Sequence, residues 1–174
     1  MIMKTLAIFN TENVSDDVLK DFRHRLAVRV VVFDDEKKVA LLHAVTQEYY
    51  GLPGGGVDKD ETLEQGAIRE SKEEIGCTVE IVSNLGRIFE YKKNDNLINE
   101  STGYVCRVVG EKGTPIFIGD ENEAEKGSVV VWVSLKTAID IMKVIPQRLN
   151  LYSQYCIERD LSFLKEVDVT LDMI

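Results

Sequence analysis

Two apolar, β-branched runs open the readable pattern, "HRLAVRVVVF" at 24–33 and "VALLHAV" at 39–45, separated by the polar turn "DDEKK"; the pattern predicts a hairpin. The next stretch, "EYYGLPGGGVDKDE", carries Gly51, Pro53, Gly54, Gly55 and Gly56. It predicts a loop whose backbone takes unusual angles or comes close to another group. A helix follows from about Thr62 to Ile75: acidic residues suit its positive dipole end, Gly76 suits a left-handed cap, and Leu63, Ala67, Ser71 and Ile75 recur at spacings of four. "TVEIVSNLGRIFEY" and "STGYVCRVVG" read as strands flanking a polar loop "KKNDNLINE", and "VVVWV" as a further strand after the acidic connection "GDENEAEKGS". Ser134 is placed to cap a helix over "LKTAIDIMKVI", which Pro146 ends. In the last segment Leu149, Tyr152, Cys156, Leu161 and Leu164 recur at roughly helical spacing, the pattern of a packing helix. Strands interleaved with separated helices imply the α/β class, with helices covering a sheet.

Composition narrows the partners. A chain of 174 residues, 44% hydrophobic and 29% charged, is expected to form one soluble domain, 1–174, with a short N-terminal segment and a C-terminal helix. Its formal charge of −9 argues against broad binding to nucleic acid, although an acidic protein still handles phosphates when metal cations mediate. Cys77, Cys106 and Cys156 are odd in number and widely spaced, without a CxxC pair, which suggests buried thiols rather than disulfides or a zinc site. No membrane span and no signal-peptide pattern are visible, so a cytoplasmic location is expected.

The candidate chemistry lies in "RESKEEIG" at 69–76. Glu-rich helical stretches with Arg and Lys are by default solvated faces with paired charges. Here, however, Glu70, Glu73 and Glu74 stand at i, i+3 and i+4, so their carboxylates share one face and repel. A divalent cation between them relieves that repulsion, and Arg69 is spaced to pair with Glu73. Oxygen ligands without nearby His or Cys favour Mg²⁺ or Mn²⁺. "DKDETLEQGAIRE" lacks the glycine of a calcium loop and "GLPGGGV" lacks the Lys-Ser/Thr of a phosphate-binding loop. His24 and His43 read as structural, and Trp132 as packing.

Gly55 is followed by five residues and Glu61, then by seven residues and Arg69-Glu70, with Glu73, Glu74 and Gly76 beyond. This spacing resembles the Nudix box at all of its fixed positions. Only the two usual aliphatic positions depart, being Ser71 and Cys77, both able to pack. With "LPGGGV" before it and "VVVWVSLKTAI" after it, the resemblance spans roughly residues 22–142. It implies a Nudix-type α/β/α sandwich with a mixed central sheet. It also implies a metal-dependent hydrolase that cleaves the pyrophosphate bond of a nucleoside diphosphate linked to another moiety. Carried over by position, the metal ligands are Glu70, Glu73, Glu74 and the Gly54 carbonyl, and Glu61 holds the loop against the helix. Catalytic roles fall to Arg69, to Glu70 or Glu73 as base, and to Glu125 or Glu123 of the "DENEAE" loop as auxiliary base or ligand. Gly54, Gly55 and Tyr50 are the substrate-binding candidates.

The resemblance leaves the linked moiety open. Among the subfamily signatures downstream of the box, a proline is missing from "FEYKKND" and Tyr91 falls early. The partner implied is a small nucleoside diphosphate derivative, with neither nucleic acid nor membrane, and a homodimer is compatible with the family. Rival readings are a catalytically silent Nudix domain acting as a nucleotide sensor, which the intact box glutamates disfavour, and an isoprenoid diphosphate enzyme on the same scaffold.

Overall fold

The computed structural model describes residues 3–45, 49–116, 128–144 and 150–170. In chain order these form β1 (Thr5–Phe9), α1 (Asp16–Leu19), β2 (Arg23–Phe33), β3 (Lys38–Ala44), β4 (Tyr49–Gly51), α2 (Leu63–Ile75), β5 (Val79–Lys92), β6 (Leu97–Val108), β7 (Ser128–Ser134), α3 (Leu135–Lys143) and α4 (Leu151–Thr170). One mixed sheet runs β1-β5-β6-β2-β3-β4, with β7 paired to β3. β1 lies parallel to β5 and β2 parallel to β6, whereas β5 and β6 are antiparallel. No helix among the described residues is long and apolar enough to cross a membrane.

The near-continuous apolar run of β2 follows from burial on both of its faces. Val28, Val30 and Val32 point to one side, where they pack with Ala67 and Ile75 of α2. Val31 and Phe33 point to the other, where Leu135, Ala138 and Met142 of α3 and Phe163, Leu164 and Val167 of α4 close a second core. The result is the expected α/β/α sandwich. The C-terminal helix docks because Gly103 of β6 has no side chain: a Cβ there would lie 2.3 Å from the Phe163 ring.

Two sequence expectations change. β6 starts at Leu97, so "LINE" at 97–100 is strand, and the turn shrinks to Lys93–Asp95 and Asn96, the latter at a φ of 48°. Its polar residues are buried because they satisfy one another: Asn99 donates to Glu90 Oε2 at 2.6 Å and to Ser101 Oγ at 3.0 Å. The second change concerns the hairpin, because β2 and β3 are in register only at Phe33 and Val39. From there β3 runs with β7 from Lys38↔Ser134 to Ala44↔Ser128, and the glycine loop enters against β2. Val28 donates to the Gly55 carbonyl at 2.9 Å and Val30 to that of Pro53 at 2.9 Å. The end of the predicted α3 helix at Pro146, and Leu149, fall outside the described residues.

Candidate active site

Helix α2 forms where the sequence places it, with Thr62 as N-cap. Thr62 accepts from the Gln65 N–H while the Gln65 side chain accepts from Thr62 N–H, and Gly76 closes the helix at φ 68°. This capping box starts the helix one turn past the glycine loop and so sets the phase of its carboxylates. Glu70 is buried, with Glu73 and Glu74 half-buried beside it.

Arg69 ties loop to helix. Its Nε and Nη2 donate to the two Glu61 oxygens, each at 2.9 Å, and Nη2 also donates to the Gly56 carbonyl at 2.9 Å. Nη1 donates to Glu70 Oε1 at 2.8 Å and Glu73 Oε2 at 3.2 Å. The fork geometry of guanidinium makes this possible where a lysine has no equivalent. The Glu61 carboxyl is held below its ordinary value by the Arg69 hydrogen bonds, and the Arg69 guanidinium is raised above its own by the same pairing. Burial pushes Glu70 up, and its pairing with Arg69 and the nearby charge of Arg29 recover only part of that shift.

The glycine loop faces these carboxylates at close range. Gly54 has a φ of 137°, and a Cβ there would lie 2.2 Å from the Val28 carbonyl oxygen. Its N–H donates to Glu74 Oε2 at 2.6 Å. A Cβ on Gly55 would lie 2.4 Å from Glu70 Oε1, so that glycine is what lets the loop reach the helix. The carbonyls of Pro53, Gly55 and Gly56 are taken by Val30, Val28 and Arg69. Among the described residues, no donor reaches the Gly54 carbonyl.

These residues line one cleft of about 710 Å³ that also admits Arg25, Arg29, Tyr49, Tyr152, Arg159 and Asp160. It brings together Gly54, Gly55, Arg69, Glu70, Glu73 and Glu74 from the sequence-based set. Tyr50 is placed differently from the expectation. It does not line the cleft, and its ring stacks on His43 with centroids 4.2 Å apart, while its strand neighbour Tyr49 lines the cleft. Alternation along β4 separates the two rings. Glu121, Glu123 and Glu125 lie outside the described residues.

The donor set suits a hard divalent cation: three carboxylates and an undonated backbone carbonyl, all oxygen. Among the described residues, no three acidic, His or Cys side chains are grouped closely enough to form a metal cluster. Arg69 and the Gly54 N–H instead hold the carboxylates.

Sequence reading missed the rest of the cleft lining. Arg25 and Arg29 sit inside a run read as strand, and Tyr152, Arg159 and Asp160 inside a helix read as packing. The one available signal was an Arg-Asp pair interrupting the apolar spacing of α4. Asp160 Oδ2 accepts from the Leu52 N–H at 2.9 Å, so α4 is bonded directly to the glycine loop.

The architecture and the cleft define a class: an α/β/α sandwich in which a glycine loop and a carboxylate-bearing helix meet. A model described as the NUDIX domain matches residues 23–155, and the chain belongs to the Nudix family. It is similar to a protein named RNA pyrophosphohydrolase from Vibrio atlanticus, 33% identical over 92 residues, covering 51% of this chain and 52% of that one. A protein of the same name from Hydrogenovibrio crunogenus is 30% identical over 106 residues, covering 59% of this chain and 63% of its relative. The chain thus spans about half the length of the curated relatives it matches. Among solved structures, a C. elegans Ap4A hydrolase binary complex aligns with a TM-score of 0.58 at 19% identity, over 86% of this chain and 99% of that one. A MutT Nudix hydrolase from Burkholderia pseudomallei gives 0.53 at 19% identity, over 79% and 98%. These structures establish likeness of fold.

Proposed function

We propose that the chain hydrolyses the pyrophosphate bond of a nucleoside diphosphate linked to another moiety, with Mg²⁺ or Mn²⁺ as cofactor. The observation that carries this reading is the meeting of Glu70, Glu73, Glu74 and the Gly54 loop in one cleft. Glu70, Glu73, Glu74 and the Gly54 carbonyl would hold the cation. When bound, such a cation polarises phosphoryl oxygens and lowers the pKa of a coordinated water. The chain's own residues orient and exclude. Arg69 fixes the rotamers of Glu70 and Glu73, Gly54 N–H fixes Glu74, and the side-chain-free Gly55 allows close approach to Glu70. Glu70 or Glu73 accepts the proton of the attacking water, with Glu125 or Glu123 in an auxiliary role.

The relatives named RNA pyrophosphohydrolase add the 5′-phosphorylated end of an RNA to the substrates worth testing. The net charge of −9 weighs against a long nucleic-acid footprint, but a single phosphorylated terminus needs only the local charge of the cleft. The deciding experiment supplies the purified chain and Mg²⁺ or Mn²⁺ with nucleoside triphosphates, nucleotide sugars, ADP-ribose, dinucleoside polyphosphates and a 5′-triphosphorylated oligoribonucleotide. Release of pyrophosphate or phosphate from the triphosphates, or of a nucleotide and the other phosphorylated product from the remaining substrates, supports the reading. Tight binding without turnover of any of them identifies a silent nucleotide sensor instead.

A further inference from the structure

Besides Arg69 and the box glutamates, the cleft is lined by Arg25, Arg29 and Arg159 and by the carboxylates Asp58 and Asp160. Arg159 is buried, its Nε donating to Asp160 Oδ1 at 2.7 Å and its Nη1 to Glu90 Oε2 at 3.4 Å. Arg29 Nε lies 3.7 Å from the same Asp160 Oδ1, and its Nη1 donates to the Val28 carbonyl at 2.7 Å. Lys92 Nζ lies 3.6 Å from Glu90 Oε1. Three cations, Arg29, Lys92 and Arg159, thus share two carboxylates, Glu90 and Asp160. At the rim Arg25 adds another positive charge, donating to the neutral Asn99 Oδ1 at 3.0 Å and, among the described residues, meeting no carboxylate.

Buried charges are retained when they are paired, and an unpaired excess is costly. Arg29 also acts on Glu70, but Arg25, among the described residues, has no carboxylate ion-pair partner where it lines the same cleft as Arg29 and Arg159. An anionic ligand supplies the missing charge, and guanidinium forks match phosphate oxygens. Arg159 lies beyond residue 155, where the family match ends, so this part of the cleft lining is added by α4. The bond from Leu52 N–H to Asp160 fixes α4, and with it Arg159, to the glycine loop.

We propose that Arg25, Arg29 and Arg159 form a subsite for a phosphate beyond the scissile diphosphate, so that the enzyme prefers nucleotides with three or more phosphates to diphosphates capped by an uncharged sugar. This rests on the hydrolase reading above. The shared chemistry is a 5′-triphosphate, whose source is either a free nucleotide or the end of an RNA.

The test compares kcat/KM for a nucleoside triphosphate, a 5′-triphosphorylated oligoribonucleotide and a nucleotide sugar. The wild type is expected to favour one or both triphosphates, and the favoured one identifies the source. Arg25→Gln removes the rim charge and leaves Glu90 and Asp160 with their Lys92, Arg29 and Arg159 partners. It is expected to lower the triphosphate-to-sugar selectivity about tenfold, chiefly through KM, the loss of one charge-assisted hydrogen bond. Arg159→Lys keeps a charge for Glu90 and Asp160 and is expected to lower the same ratio with its melting temperature nearly retained. Equal losses on both substrate classes, or a wild-type preference for the sugar, overturn the proposal. Calorimetry with inorganic tripolyphosphate, without divalent cation, separates the two readings. Binding that weakens about tenfold in Arg25→Gln supports the subsite even if no nucleotide is hydrolysed, and unchanged binding overturns it even if hydrolysis is fast.

Discussion

Replacing Gly54 by Ala perturbs the fold and the site through one atom. The new Cβ would stand 2.2 Å from the Val28 carbonyl oxygen and 2.9 Å from the Arg29 Cα, on a backbone at φ 137°. Strain of that kind costs about 1–3 kcal/mol. Both neighbours are β2 backbone, so the loop must move, weakening the bonds from Val28 N–H to Gly55 and from Val30 N–H to Pro53, each 2.9 Å. At about 1 kcal/mol for each weakened bond, the total is about 3–5 kcal/mol. A chain of this size should then melt about 6–20 °C lower. Urea unfolding followed by fluorescence of Trp132, the only tryptophan, measures the loss. Gly110→Ala is the control: its φ is 78° but a Cβ would meet nothing within 4 Å, so it reports strain without collision. Because the Gly54 N–H also orients Glu74, activity should fall further than the folded fraction does. If Gly54→Ala costs no more than Gly110→Ala, the close approach of loop to strand is not what requires glycine there.

Glu73→Gln and Glu74→Gln should each lower turnover about 100-fold or more while melting near the wild type, and chelation of divalent cations should abolish turnover until Mg²⁺ or Mn²⁺ is restored. Full activity in both variants would show that the carboxylates are not ligands. Gly103→Ala pushes a methyl into the Phe163 ring and should cost about 1–3 kcal/mol, partly relieved by Phe163→Leu, read as melting temperatures. Burial raises the Asp34 carboxyl, but hydrogen bonds from Lys112 Nζ at 2.5 Å and from the N–H groups of Lys38 and Glu36 outweigh it, leaving the pKa below its ordinary 3.8. A depressed folded pKa stabilises fully above the ordinary value and is lost as pH falls through the lowered one. Asp34→Asn should therefore lose about 1–2 kcal/mol at neutral pH, and the gap to wild type should close in acid. A constant gap would refute the pairing.

What the sequence disclosed depended on how local the signal was. Helix α2 was legible to within a residue, because Thr62, Gln65 and Gly76 encode its ends in neighbouring chain. The box geometry was legible because fixed offsets on a helix place side chains without reference to the rest of the fold. The beginning of β6 was not, since Asn99, Glu100 and Ser101 are buried only after distant partners arrive: Glu90 and Arg87 from β5, His24 from β2. Tyr50 went astray through strand parity, where one position decides between the cleft and the His43 face. The arginines of the cleft left little local signature beyond the Arg159-Asp160 pair, because Arg25 and Arg159 are far apart in the chain and line one cleft only through the packing of α4.

The glutamates of α2 and the arginines of the cleft account for how a chain of charge −9 is suited to an anionic substrate. The carboxylates of α2 cannot attract a phosphate, and without a cation they repel one. Arg69 already contacts three of the nearby carboxylates, Glu61, Glu70 and Glu73, so its charge is committed to the helix. Besides a bound cation, the charges left to attract a phosphate are Arg25, Arg29 and Arg159, the other arginines that line the cleft. The splaying of β2 from β3 makes room for both sets of charges: Arg25 and Arg29 stay on β2, while the loop that leaves β4 crosses to α2. Arg25→Gln should therefore weaken triphosphate binding more as ionic strength is lowered, because the lost attraction is least screened there. A loss independent of salt would place Arg25 in a structural role.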